Sequence, residues 1–173
     1  PDRAEPFRSQ VMTFNSWSAS EARVQFGRCC SSQSWSEAMA ALAPFESHHE
    51  ILKQGRQLWS DLDESDWLEA FEGHPKIGDI NSLRAKFGGD HDWSANEQGK
   101  LNQAHEKTLH DLARCNQLYL KKNGFIFIVF ATGKTAEEML EILIKRLENS
   151  RSIELKNAAD QQWLITDLRL RRL

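Results

Sequence analysis

Hydrophobic residues recur along much of this chain at intervals of three and four positions, the spacing of one buried face of an α-helix. Several of these periodic segments begin at a Ser or Thr that is followed three residues later by Glu. This is the pattern of a capping box, in which the hydroxyl and the carboxylate each satisfy an unpaired backbone N–H. The pattern begins at Ser34, Ser47, Ser94 and Thr135. We therefore predict helices that start at these four positions.

The rest of the pattern predicts where the chain is helical between and beyond these starts. A short helix is expected over Asp66–Phe71, with Asp66 as its N-cap and Gly73 closing it in a left-handed conformation. The regular spacing then stops, so residues 73–92 are expected to interrupt the helical pattern. The other predicted helices are a long one ending at Asn123–Gly124, a long one from about Ser152 to the C-terminus, and one over Ser20–Cys30.

One segment, Phe125–Phe130, has the aromatic and β-branched composition of a strand. The sequence offers no second strand or hairpin to pair with it, so we expect a buried extended or helical segment instead. The predicted fold class is all-α, a single compact helical domain with two long helices in its C-terminal half and one extended apolar segment. Residues 1–12 are expected to form a flexible N-terminal segment, and residues 13–173 the helical domain.

Composition limits the classes of function. The chain has 173 residues, of which 40% are hydrophobic and 27% are charged, as expected for one globular domain. Lys and Arg number 22 against 25 Asp and Glu, so there is no basic excess for binding phosphate backbones, and a nucleic-acid partner is not expected. The longest apolar run, Phe125–Ala131, is far shorter than the roughly 20 residues of a membrane span. We therefore expect no association with a membrane.

Three cysteines are too few for a disulfide framework. Cys29 and Cys30 are adjacent, and a bond between neighbours closes a strained ring. Cys115 lies on the apolar face of a predicted helix, where a free thiol acts as a small core residue. We expect three reduced thiols in a reducing compartment.

Metal and phosphate motifs fail on their spacing. His105 and His110 are five positions apart, so their rings project from different faces of a helix. His48–Glu50 is expected to be a solvated first helical turn, and no metal site is predicted. The segment Ala131–Thr135 resembles the end of a phosphate-binding loop, but Ile128 stands where that motif needs Gly, so Thr135 is interpreted as a helix cap.

Two segments allow a chemical as well as a structural interpretation. His74 precedes Pro75, which forces it toward extended backbone and outside a regular helix, where its ring can face a pocket. The structural alternative is a helix C-terminus followed by a turn, and the local pattern by itself favours it. Ser94 and Glu97 similarly form a capping box, followed by a polar Gln98 whose presence in a first turn is ordinary.

Taken together, the motifs along the chain closely resemble one family. They are His74-Pro75-x-Ile77-Gly78, Ser94-x-x-Glu97-Gln98, Asn116-x-x-Tyr119, Gly124-Phe125-x-Phe127-Ile128, Ala131-Thr132-Gly133, Arg146-Leu147-Glu148-Asn149 and Leu168-Arg169-Leu170. In this order they resemble the 2-oxo-4-hydroxy-4-carboxy-5-ureidoimidazoline (OHCU) decarboxylases of urate breakdown, from about Phe14 onward. The resemblance implies an all-α, homodimeric carboxy-lyase that forms (S)-allantoin from a small-molecule substrate without a cofactor.

The same resemblance implies a role for individual residues. His74 would be the catalytic acid/base that acts on the substrate hydroxyl, with Glu97 as a second catalytic group. Arg169 would pair with an anionic or carbonyl oxygen of the substrate. The other implied substrate-binding residues are Pro75, Ser94, Gln98, Phe125, Ile126, Phe127 and Ile128, of which the apolar run would form the floor of the pocket.

Two alternatives to this function stay open at the level of sequence. The chain could be a non-catalytic helical dimerisation or interaction domain, in which His74 and Glu97 serve only a turn and a cap. It could also be a decarboxylase of a related carboxylated heterocycle. The expected compartment is the cytoplasm, with the peroxisome as the alternative, because the terminal Arg-Arg-Leu only loosely resembles a peroxisomal tripeptide.

Overall fold

The structure is a computed structural model that describes residues 13–76, 78–88 and 95–173, with the backbone alone for residues 95–101. Throughout these ranges the regular elements are α-helices, which confirms the predicted all-α class. Residues 1–12 and the predicted cap at Ser94 lie outside the described residues. In chain order the helices are α1 (Ala19–Cys29), α2 (Gln33–Leu42), α3 (His48–Ser60), α4 (Glu64–Glu72), α5 (Ile80–Phe87), α6 (Ala95–Asn123), α7 (Ala136–Leu147) and α8 (Arg151–Arg171).

The chain divides into two compact units. The first unit extends to His74 and includes Ala159–Leu173, and the second unit is Pro75–Ala158. Helix α8 therefore contributes residues to both. Among the described helices, none combines the length and the apolar character that crossing a membrane requires.

Two of the predicted helix caps are confirmed. Ser47 Oγ accepts the backbone N–H of Glu50 at 3.0 Å at the start of α3, and Thr135 Oγ1 accepts that of Glu138 at 3.2 Å at the start of α7. The prediction of a cap at Ser34 is wrong, because α2 begins two residues earlier. There Ser32 is fully buried, and its hydroxyl accepts the N–H of Trp35 at 3.3 Å.

Gly73 caps the C-terminus of α4 as predicted, but the predicted start of this helix and the left-handed conformation of Gly73 are wrong. The helix begins three residues earlier than expected, because Asp63 rather than Asp66 is its cap and accepts the N–H of Asp66 at 3.1 Å. Gly73 has a φ of −71° and so is not left-handed. The left-handed glycines are Gly124, as predicted for the end of α6, and Gly133.

Helix α5 lies within residues 73–92, where we expected no helix. Its cap is Asp79, whose carboxylate accepts the N–H of Ser82 at 2.9 Å. Leu83 is the buried residue of this helix, so it shows almost no apolar periodicity. A short helix that depends on its cap leaves too weak a pattern to detect.

The core of the first unit is built around tryptophans. Trp35 is fully buried and its Nε1–H donates to the carbonyl of Gly55 at 2.9 Å. A Cβ at Gly55 would lie 3.3 Å from the Trp163 ring and 3.4 Å from the Trp35 ring, so helix α3 approaches both rings closely only because this residue has no side chain. Trp59 donates in turn to the carbonyl of Ala159 at 2.9 Å, which holds α3 against the part of α8 that belongs to the first unit.

The expectation that His48–Glu50 forms a solvated first turn is wrong for His48. It is buried, its Nε2 lies 3.2 Å from the carbonyl oxygen of Leu170, and its ring meets that of Phe14 edge-on. Its neighbour His49 is exposed. The first turn of α3 therefore packs on one side and faces solvent on the other.

In the second unit, helix α6 buries Leu112, Cys115 and Tyr119 of its predicted apolar face together with Leu109, whereas Ala104 of that face is exposed. Leu109, Leu112, Cys115 and Tyr119 are all at most 4% exposed. All three cysteines of the chain are free, as predicted, and all three are buried. Cys115 is therefore a core residue.

A buried ion pair lies at the centre of the second unit. Arg146 Nε donates to Glu154 Oε1 at 2.7 Å, and Glu154 is completely buried. The same oxygen accepts the Tyr119 hydroxyl at 2.7 Å, and the other carboxylate oxygen accepts Asn149 and Asn157, each at 2.8 Å. Burial alone would raise the pKa of Glu154, but the hydrogen bonds from these four side chains outweigh it and lower that pKa.

This ion pair also holds the apolar segment Phe125–Phe130. The segment is not helical, and Phe125 and Ile128 are buried while Ile126 and Phe127 are half-buried. Arg146 Nη1 donates to the carbonyl of Ile128, and the guanidinium lies 4.7 Å from the centroid of the Phe127 ring. An arginine thus fixes both the backbone and a side chain of the segment.

We predict that Arg146→Met lowers the free energy of unfolding by about 3–5 kcal/mol, because it leaves the Glu154 carboxylate buried without its cation. Urea denaturation at pH 7 measures the loss. The matched control is Lys145→Met, which removes an exposed cation 3.4 Å from Glu141 and is expected to change the same quantity by less than about 1 kcal/mol. Equal effects of the two substitutions would contradict the prediction.

Candidate active site

The structure brings two of the predicted site residues together, His74 and Arg169, both in the first unit. They are 95 positions apart in sequence, yet the charge of Arg169 acts on the imidazole of His74. The other predicted residues are not placed beside them here. Pro75, Phe125, Ile126, Phe127 and Ile128 belong to the second unit, Ser94 lies outside the described residues, and Glu97 and Gln98 have helical backbone in α6 but no described side chain.

The end of helix α4 presents His74. The N–H of Gly73 donates to the carbonyl of Ala70, and the N–H of His74 donates to that of Phe71, both at 3.2 Å. These bonds close a final tight turn, and Pro75 prevents the helix from continuing. His74 is therefore fixed by its own backbone at the end of a helix, with a half-buried ring.

Gly73 is required at this turn by a close approach rather than by its backbone angles. A Cβ built on it would lie 2.5 Å from the Cβ of Ser31, a separation that side chains do not adopt. Ser31 belongs to the short connection between α1 and α2. The turn that carries His74 thus packs directly on that connection.

Helix α8 supplies the hydrogen-bonding partner of the imidazole. The Nε2 of His74 is hydrogen-bonded to the side-chain carbonyl Oε1 of Gln162. The amide nitrogen of Gln162 donates to Thr166 Oγ1 at 3.0 Å, one helical turn further on, and both residues are only 1% exposed. Thr166 also acts on the thiol of Cys30, whose pKa it acts to lower. A connected row of buried polar side chains therefore lies behind His74.

Arg169 lies on the same helix and is exposed. Its Nη1 donates to the carbonyl oxygen of Cys29 at 3.3 Å. That bond uses one of the five N–H donors of the guanidinium. The site therefore presents a cation near the imidazole at the protein surface.

The surroundings favour the neutral form of His74. Burial lowers the pKa of its imidazole below the ordinary value of 6.5, and the charge of Arg169 lowers it further, while the hydrogen bond with Gln162 acts in the opposite direction. At pH 7 the ring is therefore mainly uncharged. A neutral imidazole can accept a proton, which is what a general base requires.

The two thiols beside this site are not nucleophiles. Burial raises the pKa of Cys29 to about 12 and that of Cys30 to about 11, even though Arg169 acts to lower both. Because the thiolate is the reactive form, almost none is present at neutral pH. The chemistry available at the site is acid–base catalysis and recognition of an anion.

Gln162 and Thr166 were not among the residues predicted from the sequence, and Cys30 was expected only as a reduced thiol. A detectable signal existed, since residues 154, 158, 162, 166 and 170 of α8 are spaced by four and all are buried. Three of the five are the polar residues Glu154, Gln162 and Thr166. Polar residues at the spacing of a buried helix face indicate internal hydrogen bonding. In the part of the chain that the structure describes, no group of three or more His, Cys, Asp or Glu side chains is arranged to hold a metal ion.

Comparison with known proteins gives a consistent family. The sequence pattern of the family described as OHCU decarboxylase matches residues 15–171. The chain is 39% identical over 152 residues to the uric acid degradation bifunctional protein TTL of Arabidopsis thaliana, which covers 84% of this chain and 45% of that protein. It is 23% identical over 148 residues to the 2-oxo-4-hydroxy-4-carboxy-5-ureidoimidazoline decarboxylase of Haloferax volcanii, with 84% of each chain covered.

A solved structure agrees with these relatives. A crystal structure of an OHCU decarboxylase in the presence of (S)-allantoin is 36% identical, with a TM-score of 0.68, and the match covers 85% of this chain and 94% of that one. The chain spans less than half the length of the Arabidopsis relative, so it corresponds to one part of that bifunctional protein.

We predict that Gly73→Ala lowers the free energy of unfolding by about 1–3 kcal/mol, because the new methyl group overlaps Ser31 and forces the turn to move. The companion Ser31→Gly substitution removes the overlapping atoms, so the double variant should recover part of the loss. Thermal and urea unfolding of the four proteins measure this coupling.

Gly27→Ala is the matched control for that experiment. Gly27 lies inside α1, and a Cβ there would meet no atom within 4 Å. Because Ala is favoured over Gly in a helix by about 1 kcal/mol, this variant should be neutral or more stable. A Gly73→Ala variant as stable as Gly27→Ala would show that the close approach does not constrain the turn.

Proposed function

This chain belongs to the OHCU decarboxylase family, and on that premise we propose that it catalyses the cofactor-independent decarboxylation of 2-oxo-4-hydroxy-4-carboxy-5-ureidoimidazoline to (S)-allantoin, a step of urate degradation. The observation that carries the proposal is that one unit holds both a half-buried His74, with a lowered pKa, and the exposed cation Arg169, whose charge contributes to that lowering. These are the two groups that the chemistry needs at one end of the substrate, a proton acceptor and a partner for negative charge.

The chemistry of the substrate explains why acid–base groups suffice. The carboxylate is attached to a ring carbon that also bears a hydroxyl and that lies next to a ring C=N bond. When the bond to the carboxylate breaks, CO2 leaves and its electron pair forms a C=C bond, while the C=N electrons move to the nitrogen, which takes a proton. The hydroxyl then becomes a carbonyl by losing its proton, and the neighbouring carbon gains one. The substrate itself is the electron sink, so no cofactor is needed for that role.

His74 performs the proton step in this proposal. Its neutral imidazole accepts the proton of the substrate hydroxyl as the carbonyl forms. The lowered pKa of His74 supports this role, because the ring is ready to accept a proton at neutral pH. Arg169, on helix α8, pairs with an oxygen of the substrate that carries negative charge.

The remaining roles rest on the resemblance. Glu97, Gln98 and Ser94 bind the ureido and ring N–H groups, and Pro75 and the segment Phe125–Ile128 shape the pocket. One face of the planar intermediate must receive the proton if a single enantiomer is to form. An asymmetric arrangement of these groups around the ring meets that requirement.

We further propose that the protein works as a homodimer in the cytoplasm, with the peroxisome as the alternative compartment. Exposed apolar side chains of the second unit support self-association, since Leu118, Ile144 and Ile153 are 46–51% exposed. The three free thiols are compatible with a reducing compartment.

His74→Gln is expected to lower the rate of (S)-allantoin formation about 10²–10⁴-fold, because it removes the proton acceptor and keeps a similar volume. Circular dichroism of allantoin measures the rate when the unstable substrate is generated from urate in the same cuvette. His49→Gln is the control, since this histidine is exposed in the first turn of α3. Undiminished optical activity in His74→Gln would rule out the proposed role.

Glu97→Gln separates the enzyme from a non-catalytic interaction domain. We expect a loss of at least about 10²-fold in the rate with unchanged thermal stability, because Gln can still serve a helix cap but replaces one of the two carboxylate acceptors for the substrate N–H groups with a donor. A variant that is silent in both measurements would favour the interaction domain.

A further inference from the structure

We propose that Gln162 is a positioning residue for His74, which accepts the Nε2 hydrogen of the ring and so leaves the lone pair of Nδ1 free for the substrate. The inference deepens the proposed function and rests on it. It assigns to the buried face of α8 a part in the reaction.

The direction of the Gln162 amide follows from its neighbours. An amide can face His74 with either its oxygen or its nitrogen, and the two arrangements differ by a flip. In the structure the amide oxygen Oε1 is directed toward His74, and Thr166 Oγ1 accepts the hydrogen of the amide nitrogen with a lone pair. The Gln162 nitrogen therefore donates to Thr166 at 3.0 Å, and its oxygen faces the ring.

The imidazole tautomer follows in turn. A carbonyl oxygen can only accept, so the nitrogen of His74 that faces it must carry the hydrogen. In the neutral ring the other nitrogen, Nδ1, then has a free lone pair. A proton on the substrate hydroxyl can be transferred only to that nitrogen.

Packing does not explain why Gln162 and Thr166 are polar. Both are 1% exposed, and burying an amide or a hydroxyl costs free energy unless it is hydrogen-bonded. The positions one turn before and one turn after them on the same face, Ala158 and Leu170, are apolar. An apolar pair would fill this space without the need for any hydrogen bond, so the polar pair matches a requirement set by His74.

Several charged or titratable groups lie near the His74 ring, and Gln162 is the residue that is hydrogen-bonded to it. Arg169 of α8 acts on His74 and opposes its protonation. The thiols of Cys29, the last residue of α1, and of Cys30, its C-cap, are uncharged at neutral pH, and Glu69 of α4 acts on Cys30. The hydrogen bond with Gln162 is thus the interaction that favours a proton on the ring, against burial and Arg169.

Two substitutions at position 162 test the proposal through the pH dependence of kcat/KM. In the wild type we expect activity to be lost as the pH falls through the lowered pKa of His74, below 6.5. Gln162→Glu places a carboxylate beside Nε2, which stabilises the imidazolium and should move this acid limb up by about one pH unit. Gln162→Leu removes the acceptor, so the limb should move down and kcat should fall at least tenfold with little change in KM.

The control is Gln117→Leu, an exposed glutamine of α6 that should leave the pH profile and kcat unchanged. If Gln162→Leu does not fold, Thr166→Val removes the anchor of the amide with almost no change in volume and should shift the limb in the same direction. If Gln162 had only a structural role, both substitutions would lower stability, but the acid limb of the pH profile would not move up in Gln162→Glu and down in Gln162→Leu. That result would overturn the proposal.

Nitrogen-15 NMR of labelled histidine provides a readout that does not depend on turnover. The His74 signals, identified by their absence in His74→Gln, should show hydrogen on Nε2 in the wild type and a mixture of tautomers in Gln162→Leu. Hydrogen on Nδ1 in the wild type would refute the inference. A wild type with this tautomer but without (S)-allantoin formation would refute the proposed function alone.

Discussion

Each polar side chain on the buried face of α8 must find its hydrogen-bonding partners inside the protein, because water does not reach it. Glu154 meets this requirement in the second unit through Arg146, Tyr119 and two asparagines. Gln162 and Thr166 meet it in the first unit, where Gln162 is hydrogen-bonded both to His74 and to Thr166. One helix face thus determines two separate arrangements, the position of an apolar segment and the orientation of an imidazole.

The sequence predicted helices better than it predicted their ends. Ser47 and Thr135 cap as expected, each accepting the backbone N–H of the Glu three residues later. Ser34 and Asp66 were assigned wrongly because a second candidate, Ser32 or Asp63, precedes each by two or three residues, and a local pattern cannot choose between them. In the first case burial decides, since the hydroxyl of a fully buried serine needs a partner.

The same limit applies to the site. The motif around His74 was visible in the sequence, although its local pattern favoured a plain turn, and Arg169 entered only through the family resemblance. Gln162 and Thr166 were missed because buried helix faces were predicted from apolar periodicity, and polar residues on a buried face weaken that periodicity. Gly73 was predicted to have a left-handed backbone. The structure shows instead that Ser31, in the connection between α1 and α2, leaves no space for a side chain at Gly73. Contacts between residues that are far apart in sequence determined each of these outcomes.

The burial of the cysteines gives the protein an internal reporter of its own opening. Cys29 and Cys30 lie in the first unit and Cys115 in the second, and each is at most 4% exposed. A thiol-reactive dye can label such a group only after the surrounding structure has opened. The rates of labelling at positions 29–30 and 115 therefore measure how often each unit opens, with no probe introduced into the chain.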